Sequence, residues 1–122
     1  MNCGSFPCDA CDVCEYVDAK TKLKLPNGRW HSIQFRVTCQ TPGVIYLAQC
    51  LCGGFYIGKT KRQFFKRIRD HIKPIRKNKM DTAISRHVGI HHNFNPQFIK
   101  FSALEHIPQT LAVAALIASC YN

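Results

Sequence analysis

Acidic residues are scarce in this chain of 122 residues, which has 7 Asp and Glu against 17 Lys and Arg and a formal net charge of +10. Such an excess of positive charge favours a polyanionic partner, because Lys and Arg contacts release the counterions condensed on phosphates. The plainer alternative is a basic surface that only keeps the protein in solution. The composition therefore favours a polyanionic partner.

Long hydrophobic runs are also missing. The most apolar stretch, "LAVAALIASC" at residues 111–120, is shorter than the roughly 18 residues that a membrane span needs. The N-terminus lacks the basic-then-apolar pattern of a secretory signal, and no basic amphipathic helix has an apolar face suited to lipid. We therefore expect no membrane partner and an intracellular, nuclear location. The length suits one domain with one modest core, and we find no internal repeat.

Cysteine, by contrast, is abundant, with eight residues in close clusters beside six histidines. In a reducing compartment this pattern favours metal over disulfides. Cys8, Cys11 and Cys14 are spaced C-x2-C-x2-C and can share one tetrahedral site. A hairpin signal around "PNG" at residues 26–28 would return Cys39 to them as the fourth ligand. The alternative is a flexible tail with unliganded thiols.

A second cluster lies in the middle of the chain. Residues 44–50 and 55–60 are rich in β-branched and aromatic residues, which predicts an antiparallel pair of strands joined by "LCGG". This connection places Cys50 and Cys52 close together. His87 with His91 or His92 has the spacing H-x3-H or H-x4-H, which suits zinc. The spacing predicts a Cys2His2 site whose last ligand stays open between His91 and His92.

A basic helix follows the second strand. Apolar residues recur with helical period over 61–76, and Arg67 and His71 lie together at one edge of that stripe. The opposite side carries a solvated or phosphate-steering face made of Arg62, Lys66, Arg69 and Lys73. The predicted contacts to the DNA backbone are Lys59, Lys66, Arg69 and Lys73.

Two further elements complete the prediction. A second helix is expected over 81–90, with Asp81 as its N-cap. The stretch "QFIKFSALE" at residues 97–105 predicts a last strand.

The motifs "GVIY" at 43–46 and "YIG" at 56–58, followed by a helix with Arg67 and His71, resemble the GIY-YIG nuclease superfamily over residues 43–105. The first glycine of the motif is one place early. More narrowly, the chain resembles the endonuclease domain of Penelope-like retroelements, which is marked by two cysteines between the tyrosines and a downstream histidine pair. That resemblance implies zinc on Cys50, Cys52, His87 and His92.

The resemblance also implies a fold. We expect an α+β domain with a small three-stranded antiparallel sheet flanked by helices, preceded by a cysteine-rich zinc-binding hairpin segment. The expected divisions are the zinc-binding segment at 1–40, the nuclease-like domain at 41–109 and an atypical apolar tail at 110–122.

The activity implied is hydrolysis of DNA phosphodiester bonds with one divalent metal, Mg²⁺ or Mn²⁺, and no small-molecule cofactor. Tyr46 would be the general base, its pKa of about 10 lowered by Lys59 or the metal. Tyr56 would orient water or phosphate. Arg67 would hold the scissile phosphate, and His71 would assist as a second donor or acid.

One departure from the family leaves two functions open. The family binds its metal through a glutamate on a helix after the last strand, whereas the residues after Pro108 include no carboxylate and the only glutamates are Glu15 and Glu105. The chain is thus either an endonuclease-like domain that is catalytically incomplete, or a non-catalytic, zinc-stabilised nucleic-acid-binding module. A zinc-based protein-interaction module is a weaker alternative, because it leaves the two tyrosines and the helical arginine unexplained.

Overall fold

A computed structural model of the protein describes residues 3–107, which form seven strands and two α-helices. The elements in chain order are β1 (Gly4–Phe6), β2 (Lys22–Lys24), β3 (Trp30–Ser32), β4 (Arg36–Thr38), β5 (Pro42–Cys50), β6 (Phe55–Gln63), α1 (Phe64–Arg76), α2 (Ala83–His92) and β7 (Ile99–His106). The α+β class is confirmed. Neither helix is long and apolar enough to span a membrane. The predicted apolar tail at 110–122 lies outside the described residues.

The central sheet is three-stranded, with the order β6-β5-β7 and antiparallel pairing throughout. β5 is the middle strand, and its Tyr46 faces Gly58 on one side and Ala103 on the other. Both strands of the first pair are longer than predicted, because Pro42 at the start of β5 still pairs with Gln63 at the end of β6. The antiparallel sheet of the prediction is therefore present with extended strands.

The first helix begins later than its hydrophobic period indicates. Residues 61–63 continue β6, so α1 starts at Phe64 and the prediction of a helix from residue 61 is wrong. Arg62 accordingly lies on a strand, not on the helix. The backbone amides of Phe64 and Phe65 donate to the carbonyls of Thr41 and Cys39, which satisfies two of the unpaired amides of the first turn.

The second helix is capped by a different residue from the one expected. The Thr82 hydroxyl accepts a hydrogen bond of 3.0 Å from the Ser85 amide. The Ser85 hydroxyl in turn accepts one of 2.9 Å from the Thr82 amide. This capping box fixes the start of α2 at Ala83, so Asp81 is not the N-cap. The last strand, β7, starts at Ile99 after a short 3-10 turn, two residues beyond its predicted start.

The N-terminal segment closes one edge of the sheet. The predicted hairpin is present as β2 and β3, which pair around the turn with Lys22 opposite Ser32. A parallel pair between β1 and β4 was not predicted, because three-residue strands carry no readable period. The Ser5 hydroxyl accepts from the Ala103 amide at 2.9 Å, and Val17 forms a parallel bridge with β7 at Phe101.

Apolar side chains lie on both faces of the sheet. On the helix side, Val13, Tyr16 and Val37 of the N-terminal segment pack into the same core as Tyr46 and Ile68. On the other side, a smaller cluster joins the hairpin to the sheet and consists of Leu23, Ile33, Leu47 and Leu104. Segment and sheet thus share the larger core, which fixes the N-terminal cysteines relative to the sheet.

Candidate functional site

The four predicted N-terminal cysteines come together. The sulfurs of Cys8, Cys11, Cys14 and Cys39 all lie within 4.8 Å of one another. Cys14 Sγ is 3.6 Å from Cys8 Sγ, 3.3 Å from Cys11 Sγ and 3.9 Å from Cys39 Sγ. Four sulfurs at about 2.3 Å from a tetrahedral ion would lie roughly 3.8 Å apart. The cluster could therefore hold a metal ion such as zinc.

Local backbone geometry aims these sulfurs inward. Cys39 follows β4 and is fully buried, and its sulfur accepts a hydrogen bond of 3.4 Å from the Cys8 amide. The Cys8 sulfur accepts one of the same length from the Ala10 amide. Such amide contacts orient ligands and stabilise thiolates from outside the site.

The thiols of this cluster differ in acidity. Burial raises the pKa of Cys14, but hydrogen bonds from the Cys11 backbone and from the Cys11 and Cys8 thiols outweigh it and lower that pKa to about 6. Burial raises the pKa of Cys11 to about 11 and raises that of Cys39 further. Since metals bind thiolates, an ion at this site must displace protons from Cys11 and Cys39.

The second group joins the β5–β6 turn to α2. Cys50 Sγ lies 3.1 Å from His92 Nε2, and Cys52 Sγ lies 3.3 Å from His87 Nε2. All four donor atoms are within 4.8 Å of one another. His91 is not in this group, which decides the open alternative in favour of His92.

Two features fix the geometry of this second group. The turn is closed by a hydrogen bond of 2.8 Å from the Cys50 amide to the Gly54 carbonyl, and Gly53 has a φ of +100°, which an L side chain would strain. The His92 ring stacks on Phe98 with centroids 4.1 Å apart and an interplanar angle of 13°. No pattern in the sequence indicates this supporting contact.

The four predicted catalytic side chains also meet, beneath the helix α1. Arg67 Nε donates a hydrogen bond of 3.0 Å to the Tyr46 hydroxyl oxygen, and His71 Nε2 lies 2.8 Å from the same oxygen. The Tyr56 ring is 5.7 Å from that of His71. A Cβ at Gly58 would overlap the Tyr46 hydroxyl, so only glycine leaves room for this arrangement.

Burial sets the protonation of this group. Tyr46 is 0% exposed, and its burial raises the pKa of the phenol despite the opposing Arg67. Burial, followed by the Arg67 charge, lowers the pKa of His71 to about 4. At neutral pH the imidazole is therefore neutral, and the Tyr46 hydroxyl is best placed to donate its hydrogen bond to His71 Nε2. This tautomer puts the other ring proton on His71 Nδ1, which has no partner among the described residues.

Among residues 3–107, no group of three or more potential metal ligands that includes a carboxylate is assembled around Tyr46. Asp70, at 4.0 Å from Arg67 Nη1, is ion-paired with Arg62, and the side chain of Glu105 lies 3.9 Å from His31. Within residues 3–107, the only groups of His, Cys, Asp and Glu that could hold a metal are the two cysteine-containing ones. Mg²⁺ and Mn²⁺ prefer oxygen ligands. The described residues therefore do not fit the expected Mg²⁺ or Mn²⁺, and the carboxylate-free region after Pro108 lies outside them.

The predicted DNA contacts divide into three environments. Lys66 and Lys73 are exposed on α1, whereas Lys59 is exposed on β6. Arg69 donates to Asp12 at 2.7 Å, and its guanidinium lies 5.1 Å from the Phe65 ring centroid. Arg69 thus ties α1 to the N-terminal loop, a role that its place on the polar helix face did not indicate. Contact of all four residues with DNA stays a prediction.

No family model matches the chain, and neither does any curated protein or solved structure. The function therefore rests on the chemistry of the sites themselves.

Proposed function

We propose that this protein is a zinc-stabilised, DNA-binding domain of the GIY-YIG endonuclease type. The observation that carries the proposal is the hydrogen-bonded group of Arg67, Tyr46 and His71, with Gly58 against the phenol. A buried tyrosine that only packs in a sheet does not require a hydrogen bond from an arginine. A phosphate-binding site benefits from such a bond, because it must hold a guanidinium in a fixed direction.

Zinc is the proposed ion at both metal groups. Each group offers four sulfur or imidazole donors and no carboxylate. Closed tetrahedral sites with four protein ligands of this kind are typical of structural zinc. The proposed role is to fix the N-terminal loop and the β5–β6 turn against the sheet.

Arg67 is the proposed phosphate ligand. Its side chain is 32% exposed, so it connects the buried phenol to solvent. Tyr46 engages Nε. The terminal nitrogens, of which Nη1 lies 4.0 Å from Asp70, would turn to a phosphate in the planar, two-pronged manner that suits guanidinium. The surplus of basic residues elsewhere supports a polyanionic ligand.

Tyr46 is the proposed acid–base group of the hydrolysis. Neutral His71 at 2.8 Å would accept a hydrogen bond from the phenol and orient it, and Arg67 would stabilise negative charge on the phenol oxygen. Tyr56 would help to position water or phosphate. A Mg²⁺ or Mn²⁺ ion would supply Lewis acidity in this reaction class, but residues 3–107 do not provide its carboxylate. Cleavage by this site is proposed only with a carboxylate from elsewhere.

The second candidate is a nucleic-acid-binding module without catalysis. It is favoured by the complete burial of Tyr46, which keeps water from its oxygen in this conformation. It is also favoured because no metal-ligand group within residues 3–107 contains a carboxylate for Mg²⁺ or Mn²⁺. Both candidates require DNA binding through Arg67, and only the first requires chemistry. Location in the nucleus is part of either proposal.

Binding and cleavage assays with matched variants test the proposal. Arg67→Gln should weaken binding to a short duplex about tenfold, since hydrogen bonds to charged groups contribute about 1.5–3 kcal/mol. Arg86→Gln removes the same charge from an exposed position on α2 and should change binding much less. Equal effects of the two changes would contradict the proposed site.

Nicking of supercoiled plasmid with Mg²⁺ separates the two candidates. We expect nicking at background from this chain while DNA remains bound. Metal-dependent nicking that is lost in Tyr46→Phe would establish the nuclease and would require Asp70 or Asp81 to hold the cation. Loss of binding in Tyr46→Phe would instead assign the phenol to positioning of Arg67.

A further inference from the structure

A small cavity lies beside the Tyr46 group and borders the second metal group. It has a volume of about 170 Å³ and lies between α2 and the β5–β6 pair. Its buried floor is apolar and is formed by Ala48, Ile84 and Ile99. Pockets for drug-sized ligands are larger, about 300–1,000 Å³, so this cavity suits a single planar ring or one side chain.

The wall of the cavity connects it to the proposed phosphate site. Tyr56 lines the cavity, and its ring lies 6.3 Å from the Tyr46 ring, whose hydroxyl holds Arg67. A phosphate on Arg67 and a ring in the cavity would thus be separated by little more than one aromatic side chain. One nucleotide spans that distance.

The lining also includes an exposed aromatic ring and two residues of the second metal group. Phe55 at the rim is 54% exposed and gives a surface on which a ring can stack. The opposite wall contains His87 and Cys50, two members of the second metal group. The metal group therefore fixes the wall of the cavity as well as the turn.

We propose that this cavity takes one unstacked nucleobase of the DNA strand whose phosphate is held by Arg67. This inference rests on the proposed DNA-binding function and extends it from backbone contact to a base-binding pocket. A base leaves its stack at a moderate free-energy cost, and an aromatic and apolar pocket offsets that cost. The pocket would give the domain a preference for strands whose bases are already unpaired.

The test compares two single strands that carry the same number of phosphates. The full chain is titrated at fixed salt with a thymidine pentanucleotide and with a pentamer of abasic sites. We expect wild type to bind the thymidine strand about tenfold more tightly, as stacking of a base on protein rings allows. Equal affinity for the two strands would overturn the proposal.

Two variants test whether the cavity causes the difference in affinity between the thymidine strand and the abasic strand, expressed as their ratio. Ala83 is exposed at the mouth of the cavity, so Ala83→Phe should fill it without disturbing the core and should bring the ratio close to one. Ile90→Phe adds the same ring to an exposed position of α2 away from the cavity and should leave the ratio unchanged. An unchanged ratio in Ala83→Phe would also overturn the proposal.

Two further measurements keep the outcomes distinct. Arg67→Gln should weaken binding of both strands equally; if it weakens neither, the phosphate site is wrong while the cavity is still judged by the ratio. Methyl NMR of wild type should show shifts at Ile84 and Ile99 with the thymidine strand and none with the abasic strand. Unshifted methyls would reject the pocket even if Ala83→Phe failed to fold.

Discussion

Gly58 shows how one residue decides whether the Tyr46 group can form. A Cβ at this position would overlap the Tyr46 hydroxyl and would lie 2.7 Å from Tyr56 Cε1. Both tyrosines face the helix side of the sheet, and Tyr46 is fully buried there, so its ring has no space to retreat. The glycine of the "YIG" motif thus has a packing reason, independent of any resemblance.

Gly58→Ala should therefore reduce the free energy of unfolding by about 1–3 kcal/mol, as insertion of a methyl group into a packed core does. Gly54→Ala is the matched control, because its added Cβ would meet ordinary contacts of 3.5 Å or more. Urea denaturation with zinc present measures both. Equal stability of the two variants would mean that the sheet relaxes around the new methyl group.

His71 makes the stability of the fold depend on pH. Its folded-state pKa, about 4, is below the ordinary value of 6.5, so the unfolded chain binds the proton more readily. Stability is complete above pH 6.5 and falls as the pH decreases towards 4. Stability decreases with decreasing pH because the buried, neutral histidine takes up a proton when the chain unfolds.

Wild type should lose about 1 kcal/mol of stability through His71 between pH 6.5 and 5.5. His71→Gln should lack that component, since glutamine is neutral throughout the window. Denaturation of both proteins at the two pH values gives the difference, and the metal groups contribute equally to both. Parallel pH slopes would contradict the assigned protonation state.

At the scale of the helix, α1 has two basic surfaces with different partners. Lys66 and Lys73 are exposed, whereas Arg69 is neutralised by Asp12. A charge that is already paired releases fewer counterions when it meets phosphate. The helix therefore has a smaller basic face available for the proposed DNA ligand than its sequence indicates.

Changing Lys66 and Lys73 together to Gln should make the slope of log affinity against log salt shallower by up to about 2, because each duplex contact contributes about 0.9. Arg69→Gln should alter the slope less than the change of either lysine. DNA affinity measured at several salt concentrations tests both statements. If Arg69→Gln has the larger effect, the ion pair with Asp12 opens when DNA binds.

For the whole molecule, the two groups that could hold a metal each connect distant segments of the chain. One links the N-terminal loop to Cys39, and the other links the β5–β6 turn to α2. Structural zinc contributes folding free energy directly, so its removal should unfold the domain or lower its melting temperature.

Metal analysis should find two zinc ions per chain. His92→Ala and Cys39→Ser should each retain one ion, whereas His91→Ala should retain both, because His91 lies outside the ligand group. Loss of an ion from His91→Ala with none lost from His92→Ala would reverse the ligand assignment. A wild-type protein without zinc would refute both sites.

Sequence spacing by itself determined what is local. The trio Cys8, Cys11 and Cys14, the pair Cys50 and Cys52, and the hairpin after Lys22 each depend on a few neighbouring residues, and the structure has them as predicted. Element boundaries were less accurate. The polar residues 61–63 fit a strand or a helix equally well, and the pairing of Pro42 with Gln63 places them on the strand.

Tertiary structure alone decided the remaining questions. The choice of His92 over His91 depends on how α2 packs against the turn, and the pairing of Arg69 with Asp12 joins residues 57 positions apart. The complete burial of Tyr46 likewise needs both the sheet and α1. Sequence period reports which face a residue occupies, but only the packing of distant segments determines what that face meets.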